Sequence, residues 1–363
     1  MRNPIASFII PVYKPNPEHF RTMLASVVRV ARYYGPAEIL LYDDASPDGA
    51  AALLEEARRE APDLIRTLGT KTNGGIGRAR CAMTEESRGR YVISFDQDDV
   101  MLPFDLRGLV ELLDANPRYC ASYARKFLFN ERGLTGEAHG ADFSFFSAFF
   151  TPKININAML IRKSDLLQHE SFRPLEGSSI NDDVFLMLRF AEDSDFHYDP
   201  RPRTLYRVHA RQNSHIYDRN NERDFAFMAR LMTEKYRDWY ERILRLDPPE
   251  VTPENHRVIK GLIGLGVFLN QANYELASAL CRLGIRIDPG DYGAWEHALL
   301  IEARLRDPKR FDALYAEATE RFRNSESRYP LFAFAAVAVR NARQYLMTEK
   351  YRDWYERILR LDP

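Results

Sequence analysis

Cysteine is scarce: the 363 residues hold three, Cys81, Cys120 and Cys281, with no CxxC or Cys/His spacing. Three scattered thiols cannot all pair, which argues against a disulfide framework and for a reducing compartment. A basic excess is also lacking. Lys plus Arg number 51 against 52 for Asp plus Glu, a net charge of -1, so no nucleic-acid partner is expected. Long hydrophobic runs are missing too. The longest, Leu331 to Val339, is about half a membrane span. The opening MRNPIASFIIPVYKPNP has only Ser7 to Val12 as an apolar stretch, too short for a signal peptide. A cytoplasmic protein is expected, with peripheral attachment to the inner face of a membrane left open. What is present is the balance of a folded globular chain, 45% hydrophobic and 28% charged, long enough for two domains.

The first 120 residues alternate strand and helix signals. Ala6 to Val12 is a continuous apolar run, the mark of a buried parallel strand. His19 to Tyr34 carries Phe20, Met23, Leu24, Val27, Val28 and Ala31 at helical spacing. Strand signals follow at Glu38 to Tyr42, Leu64 to Leu68 and Arg90 to Phe95, with helices at Pro47 to Arg59 and Gly77 to Ser87. This rhythm predicts an α/β domain with a mostly parallel sheet, whose ligands bind at the carboxyl ends of the strands. From about Phe225 the signal is helical: one stripe to Leu246, then helices near 255–269, 271–284, 291–306, 309–322 and 330–345. The expected domains are 1–224, α/β, and 225–363, all-α. The words RLDP, RIDP and LRDP at helix ends resemble a loose tetratricopeptide pattern. Residues 346–363 repeat residues 231–248 letter for letter, LMTEKYRDWYERILRLDP. Such identity points to a recent duplication or an artefact rather than a diverged repeat.

Polar residues at the strand ends carry the chemistry. Phe95-Asp96-Gln97-Asp98-Asp99 sets three carboxylates within four residues. Their repulsion is relieved by a divalent cation or by several donors, and Mg or Mn suits oxygen ligands. The competing reading is an exposed acidic turn or a helix N-cap ahead of Pro103. Asp43-Asp44 sits in YDDASPDG, either an Asx turn, with Asp48 capping the next helix, or an acceptor for a base or ribose. Thr72 to Arg80, TNGGIGRAR, offers glycines before a helix and arginines for phosphate, yet Arg80 stands where a dinucleotide fingerprint needs glycine. Asp182 and Asp183 open a helix, as caps or as a general base. His209, in YRVH, is a metal ligand, a phosphate donor or a structural histidine.

The ordered set IIPVYKP, YDDASPDG, TNGGIGRAR, SFDQDD, NDDVFLMLR and YRVHARQNS, spanning about residues 5–217, resembles glycosyltransferase family 2 with its GT-A fold. The resemblance implies an enzyme that takes a sugar from a nucleotide diphosphate sugar, UDP favoured, using Mn2+ or Mg2+. It implies a nucleoside edge at Pro11, Val12 and Tyr13, base recognition by Asp43 and Asp44, and base or diphosphate contacts from Asn73 and Arg80. Asp96 and Asp98 match the DxD motif that holds the metal-bound diphosphate, with His209 following in YRxH as a further metal ligand. Asp183 takes the place of the family's catalytic base, and Asp182 stands where Glu is usual. The QxxRW signature of processive synthases is absent, against a chain-extruding synthase.

The expected function is therefore inverting transfer to a saccharide or lipid-linked hydroxyl acceptor, in surface polysaccharide or glycoconjugate assembly. The alternative is a degenerate GT-A scaffold that acts through its helical domain, by which it would bind a protein partner or a membrane surface. A nucleotidyltransferase would need a glycine-rich loop after the first strand, where this chain has VYKPNPEHF.

Overall fold

In the computed structural model, the described residues are 4–47, 50–140, 143–148, 154, 156–170, 172, 182–209, 229–305 and 307–322, with 182–185 and 308 described in backbone only. They form two compact units. The first unit draws on residues up to 143 and from 153 to 228; the second takes residues 144–152 and the chain from 229 onward.

The first unit begins as the apolar runs dictate. Strands β1 (Ala6–Val12), β2 (Ala37–Asp44), β3 (Ile65–Thr70) and β4 (Tyr91–Ser94) alternate with helices α1 (Pro17–Tyr34), α2 (Ala50–Glu60) and α3 (Ile76–Glu86). All seven residues of β1 are buried, as expected of a central strand covered on both faces. The strands pair in parallel, Ala6 opposite Ala37 and Tyr91, and Ile39 opposite Ile65. Helix α1 starts at Asn16, whose side chain accepts the N–H groups of Glu18 and His19, with Pro17 following. Its stripe of Phe20, Met23, Leu24, Val27, Val30 and Ala31 packs into the core with β1 and β4.

Beyond β4 the sheet becomes mixed. Strands β5 (Val100–Met101), β6 (Tyr119–Asn130), β7 (Gly133–His139), β8 (Met159–Arg162) and β9 (Asp195–Arg207) give the order β3-β2-β1-β4-β8-β6-β9-β5, with β7 paired to β6. Strand β8 runs antiparallel to both β4 and β6, whereas β6 and β9 form a long parallel pair. Helices α4 (Leu106–Ala115), α5 (Lys163–Gln168) and α6 (Asp182–Ala191) complete the unit. The sheet is thus mixed but mostly parallel, as the rhythm predicts. Sequence reading stopped short of β5 to β9, which lie past the regular alternation.

The second unit is helical: α7 (Arg237–Leu244), α8 (His256–Leu269), α9 (Tyr274–Ile287), α10 (Tyr292–Leu305) and α11 (Pro308–Arg321). The single stripe expected to run to Leu246 is instead broken at Tyr236, whose φ of -121° and ψ of 38° leave the helical region. Residues 144–148, expected in the first domain, pack within this unit. Ser144 Oγ donates to Asp291 at 2.7 Å, and the rings of Phe145 and Phe146 lie against Gly261 and Gly284. The last expected helix, 330–345, and the repeat 346–363 lie outside the described residues.

Candidate active site

Strands β1, β2 and β4 run in parallel, so Val12, Asp44 and Ser94 end at one edge of the sheet. The residues that follow them meet there. Pro11 and Val12 are buried in β1, and Tyr13 just beyond is exposed. Gln97 ties this strand end to the acidic loop: its Oε1 accepts the Tyr13 N–H and its Nε2 donates to the Tyr13 carbonyl, both at 2.9 Å.

Asp44 is buried and fully engaged. Its two carboxylate oxygens accept the N–H groups of Gly74 and Gly75, each at 2.8 Å, and its carbonyl accepts Asn73 Nδ2 at 3.1 Å. Gly75 has φ of 84°, a left-handed backbone that favours glycine, and it opens α3. The glycines before α3 therefore give these N–H groups to a carboxylate of the chain itself, whereas the sequence had offered that loop to a phosphate. Asp43 accepts the Ser46 N–H at 2.9 Å, three residues on rather than the two of the Asx turn read from YDDASPDG. Asp48 lies outside the described residues.

The three acids after β4 have different environments. Asp96 accepts Arg80 Nη2 at 2.9 Å on one oxygen and Asn157 Nδ2 at 2.9 Å on the other. Arg80 is buried on α3, with Phe172 at 5.9 Å from its guanidinium carbon. Asp99 is 1% exposed and accepts the Arg207 N–H at 2.8 Å and Asn157 Nδ2 at 2.5 Å. Burial, then the charges of Asp96 and Asp98, push its carboxyl well above the usual range. Asp98 faces His209: Oδ2 and Nε2 are 2.9 Å apart. Burial and then Asp96 push the Asp98 carboxyl up, against the pull of His209. Arg207 Nε donates to the Asp98 carbonyl at 2.8 Å, which secures the end of β9 to the acidic loop. The His19 ring, from the first turn of α1, lies 5.6 Å from that of His209. Burial, then Arg207 and His209, hold His19 below the ordinary histidine value.

Of the expected metal set, Asp98 and His209 come together; Asp96 is engaged elsewhere. Among the described residues no three His, Cys, Asp or Glu side chains form a metal cluster. The pair nevertheless offers two side-chain atoms of the kind that hold a divalent ion. A carboxylate oxygen and an imidazole nitrogen are ordinary ligands for Mn, and the charge crowded on Asp98 favours a cation. Asp182 and Asp183 are the first two residues of α6; their side chains lie outside the described residues. Sequence reasoning missed Gln97, Asn157 and Arg207. Gln97 was the unassigned middle of DQD and Arg207 lay inside YRVH, but Asn157 stands in ININAML, which carries no signal.

Residues 7–171 match the model of a family described as glycosyl transferase family 2. The putative glycosyltransferase EpsE of Bacillus subtilis is 25% identical over 221 residues, 60% of this chain and 77% of EpsE. The undecaprenyl-phosphate 4-deoxy-4-formamido-L-arabinose transferase of Pseudomonas fluorescens is 36% identical over 108 residues, 29% of this chain and 31% of that protein. The chain thus spans less than a third of the length of some curated relatives it matches. Among solved structures, S. aureus TarS 1-349 in complex with UDP-GlcNAc superposes with a TM-score of 0.51 at 16% identity, covering 87% of this chain and 91% of that one. That likeness concerns the fold.

Proposed function

We infer that this chain, which belongs to glycosyl transferase family 2 through residues 7–171, moves a sugar from a nucleotide diphosphate sugar to a hydroxyl acceptor with inversion. The observation that carries the reading is the Asp98–His209 pair, 2.9 Å apart, beside the carboxyl ends of β1, β2 and β4. Asp98 and His209 would hold Mn2+, or less readily Mg2+, which neutralises charge on the departing diphosphate. Arg80 and Asn157 hold Asp96 against the same loop. The exposed Tyr13, at the mouth of β1, offers a face for the nucleoside, with Asp43 as the base-side acceptor.

Inverting displacement needs a base on the acceptor side of the sugar. Asp183, in the first turn of α6, has that role, with Asp182 as the neighbouring rival. The Pseudomonas relative is named for undecaprenyl phosphate, and this supports a lipid-linked or saccharide acceptor in surface polysaccharide assembly. UDP is the favoured nucleotide, in line with the ligand of TarS. No helix among the described residues is long and apolar enough to cross a membrane.

The base assignment is tested by comparing Asp183→Asn with Asp182→Asn. An amide keeps the size of the side chain but cannot take the acceptor's proton. Asp183→Asn is expected to keep Mn-dependent donor binding and lose about 10²–10⁴-fold in turnover. Loss of turnover only in Asp182→Asn moves the role by one residue. Full turnover in both rejects inversion through this motif.

A further inference from the structure

The acidic loop poses an electrostatic problem that its own residues do not solve. Asp96, Asp98 and Asp99 repel one another, and Asp99 is almost fully buried. Arg80 neutralises one side of Asp96. Between Asp96 and Asp99 stands the side-chain amide of Asn157, 2% exposed, whose single Nδ2 donates to Asp96 Oδ2 at 2.9 Å and to Asp99 Oδ2 at 2.5 Å.

The backbone delivers Asn157 by a costly route. Ala158, the next residue, is fully buried with φ of 59°, a left-handed conformation that non-glycine residues seldom adopt. Such strain persists where the surroundings fix it, and often beside functional groups. Here the Ala158 N–H donates to the Ser94 carbonyl at 3.0 Å, and the Asn157 carbonyl accepts Thr204 Oγ1 at 3.3 Å. Strands β4 and β9 thus hold the turn from two sides just before β8 begins.

A chain of contacts continues outward. Asp99 Oδ1 accepts the Arg207 N–H, Arg207 Nε donates to the Asp98 carbonyl, and two residues on His209 meets the Asp98 carboxylate. The type of residue matters. A neutral amide satisfies two acids and adds no charge, so the negative charge at Asp98 remains for a cation. Lysine would cancel it, and aspartate would add a fourth repulsive group with no hydrogen to donate.

We propose that Asn157 is a positioning residue: by tying Asp96 to Asp99 it fixes where Asp98 and His209 present their ligand atoms to the divalent ion of the sugar-diphosphate donor. This rests on the transferase reading above. The site is built from the turn at 157–158 as much as from the acidic motif, and that turn has no counterpart in sequence pattern.

The test is a titration of the full chain with Mn2+ at saturating UDP, followed by calorimetry, with turnover measured over the same range of Mn2+. Partners behind metal ligands typically contribute about 10–100-fold to metal affinity. Asn157→Ala is expected to weaken Mn2+ by that factor and to raise the half-saturating Mn2+ for turnover. UDP binding without metal should stay as in the wild type. Asn116→Ala, which removes a hydrogen bond at the end of α4, provides the comparison for a merely structural loss and should leave Mn2+ affinity unmoved. If the alanine variant fails to fold, Asn157→Leu, of similar volume and with neither amide donor nor charge, is read in the same way. Wild-type Mn2+ affinity in either folded variant overturns the role of Asn157. Failure of both to fold also overturns it, because Asn157 is then a packing residue. Absence of Mn-dependent UDP binding in the wild type overturns the transferase reading instead.

Discussion

Tyr91, the first residue of β4, is buried, and its hydroxyl donates to Asp114 Oδ1 at 2.6 Å while accepting Arg162 Nη1 at 3.1 Å. Burial, then the bond to Asp114, push its pKa up to about 12. The unfolded chain loses that proton near pH ~10. Between these values the folded state binds more protons, so its stability falls as pH rises through the window. Tyr91→Phe should cost about 1–2 kcal/mol at neutral pH. The difference from wild type should shrink above about pH 10, since phenylalanine has no proton to lose. Urea unfolding at neutral and alkaline pH checks this; a difference that stays constant, or grows with pH, contradicts it. The acids of DQDD were legible because three carboxylates at a strand end need an explanation. Asn157 was not, because an amide in an apolar word gains its meaning only when β8 folds beside β4. Asp44 was legible as a strand-end acid, but not its two bonds to the glycine N–H groups, since those depend on the register of β2 against the α3 loop.

Elements were legible where one periodicity ruled. The apolar run of β1 appears with the expected limits, and the stripe of α1 differs only in that Val30 is more deeply buried than Val28. The break at Tyr236 was hidden, because an amphipathic stripe passes through it without change. Helix α8 holds a further feature that periodicity does not reveal. A Cβ at Gly264 would fall on the Phe146 carbonyl, a backbone group that cannot swing away. A Cβ at Gly266 would come nearest Leu280 Cδ1, at 3.2 Å, the end of a flexible side chain, with Leu244 and Tyr240 at ordinary contact distance. Alanine is favoured over glycine inside a helix by about 1 kcal/mol, so the two sites should respond with opposite signs. Gly264→Ala is expected to lose about 1–3 kcal/mol through the clash, and Gly266→Ala to be neutral or stabilising. Scanning calorimetry of both variants decides. If Gly264→Ala is as stable as Gly266→Ala, residues 144–148 are not seated on α8 as described.

At the scale of the whole molecule, the second unit includes a piece of chain from within the first unit's sequence. The expected boundary at 224 followed the onset of the helical stripe and could not register Ser144 to Ala148, whose partners on α8, α9 and α10 lie more than a hundred residues away. A chain ending at residue 228 keeps Phe145 and Phe146 but removes those partners. It is expected to aggregate, and Phe145→Ser with Phe146→Ser should restore solubility while Mn-dependent UDP binding persists. Equal solubility with and without the serines, by light scattering, contradicts this. The central claim is that the edge formed by β1, β2 and β4 binds a nucleotide diphosphate through a divalent ion at Asp98. Calorimetry of UDP binding with and without Mn2+, for wild type and Asp98→Ala, tests it most directly. Tight, Mn-dependent binding is expected of the wild type, with loss of the Mn dependence in Asp98→Ala. Mn-dependent binding of equal strength in both proteins would contradict it.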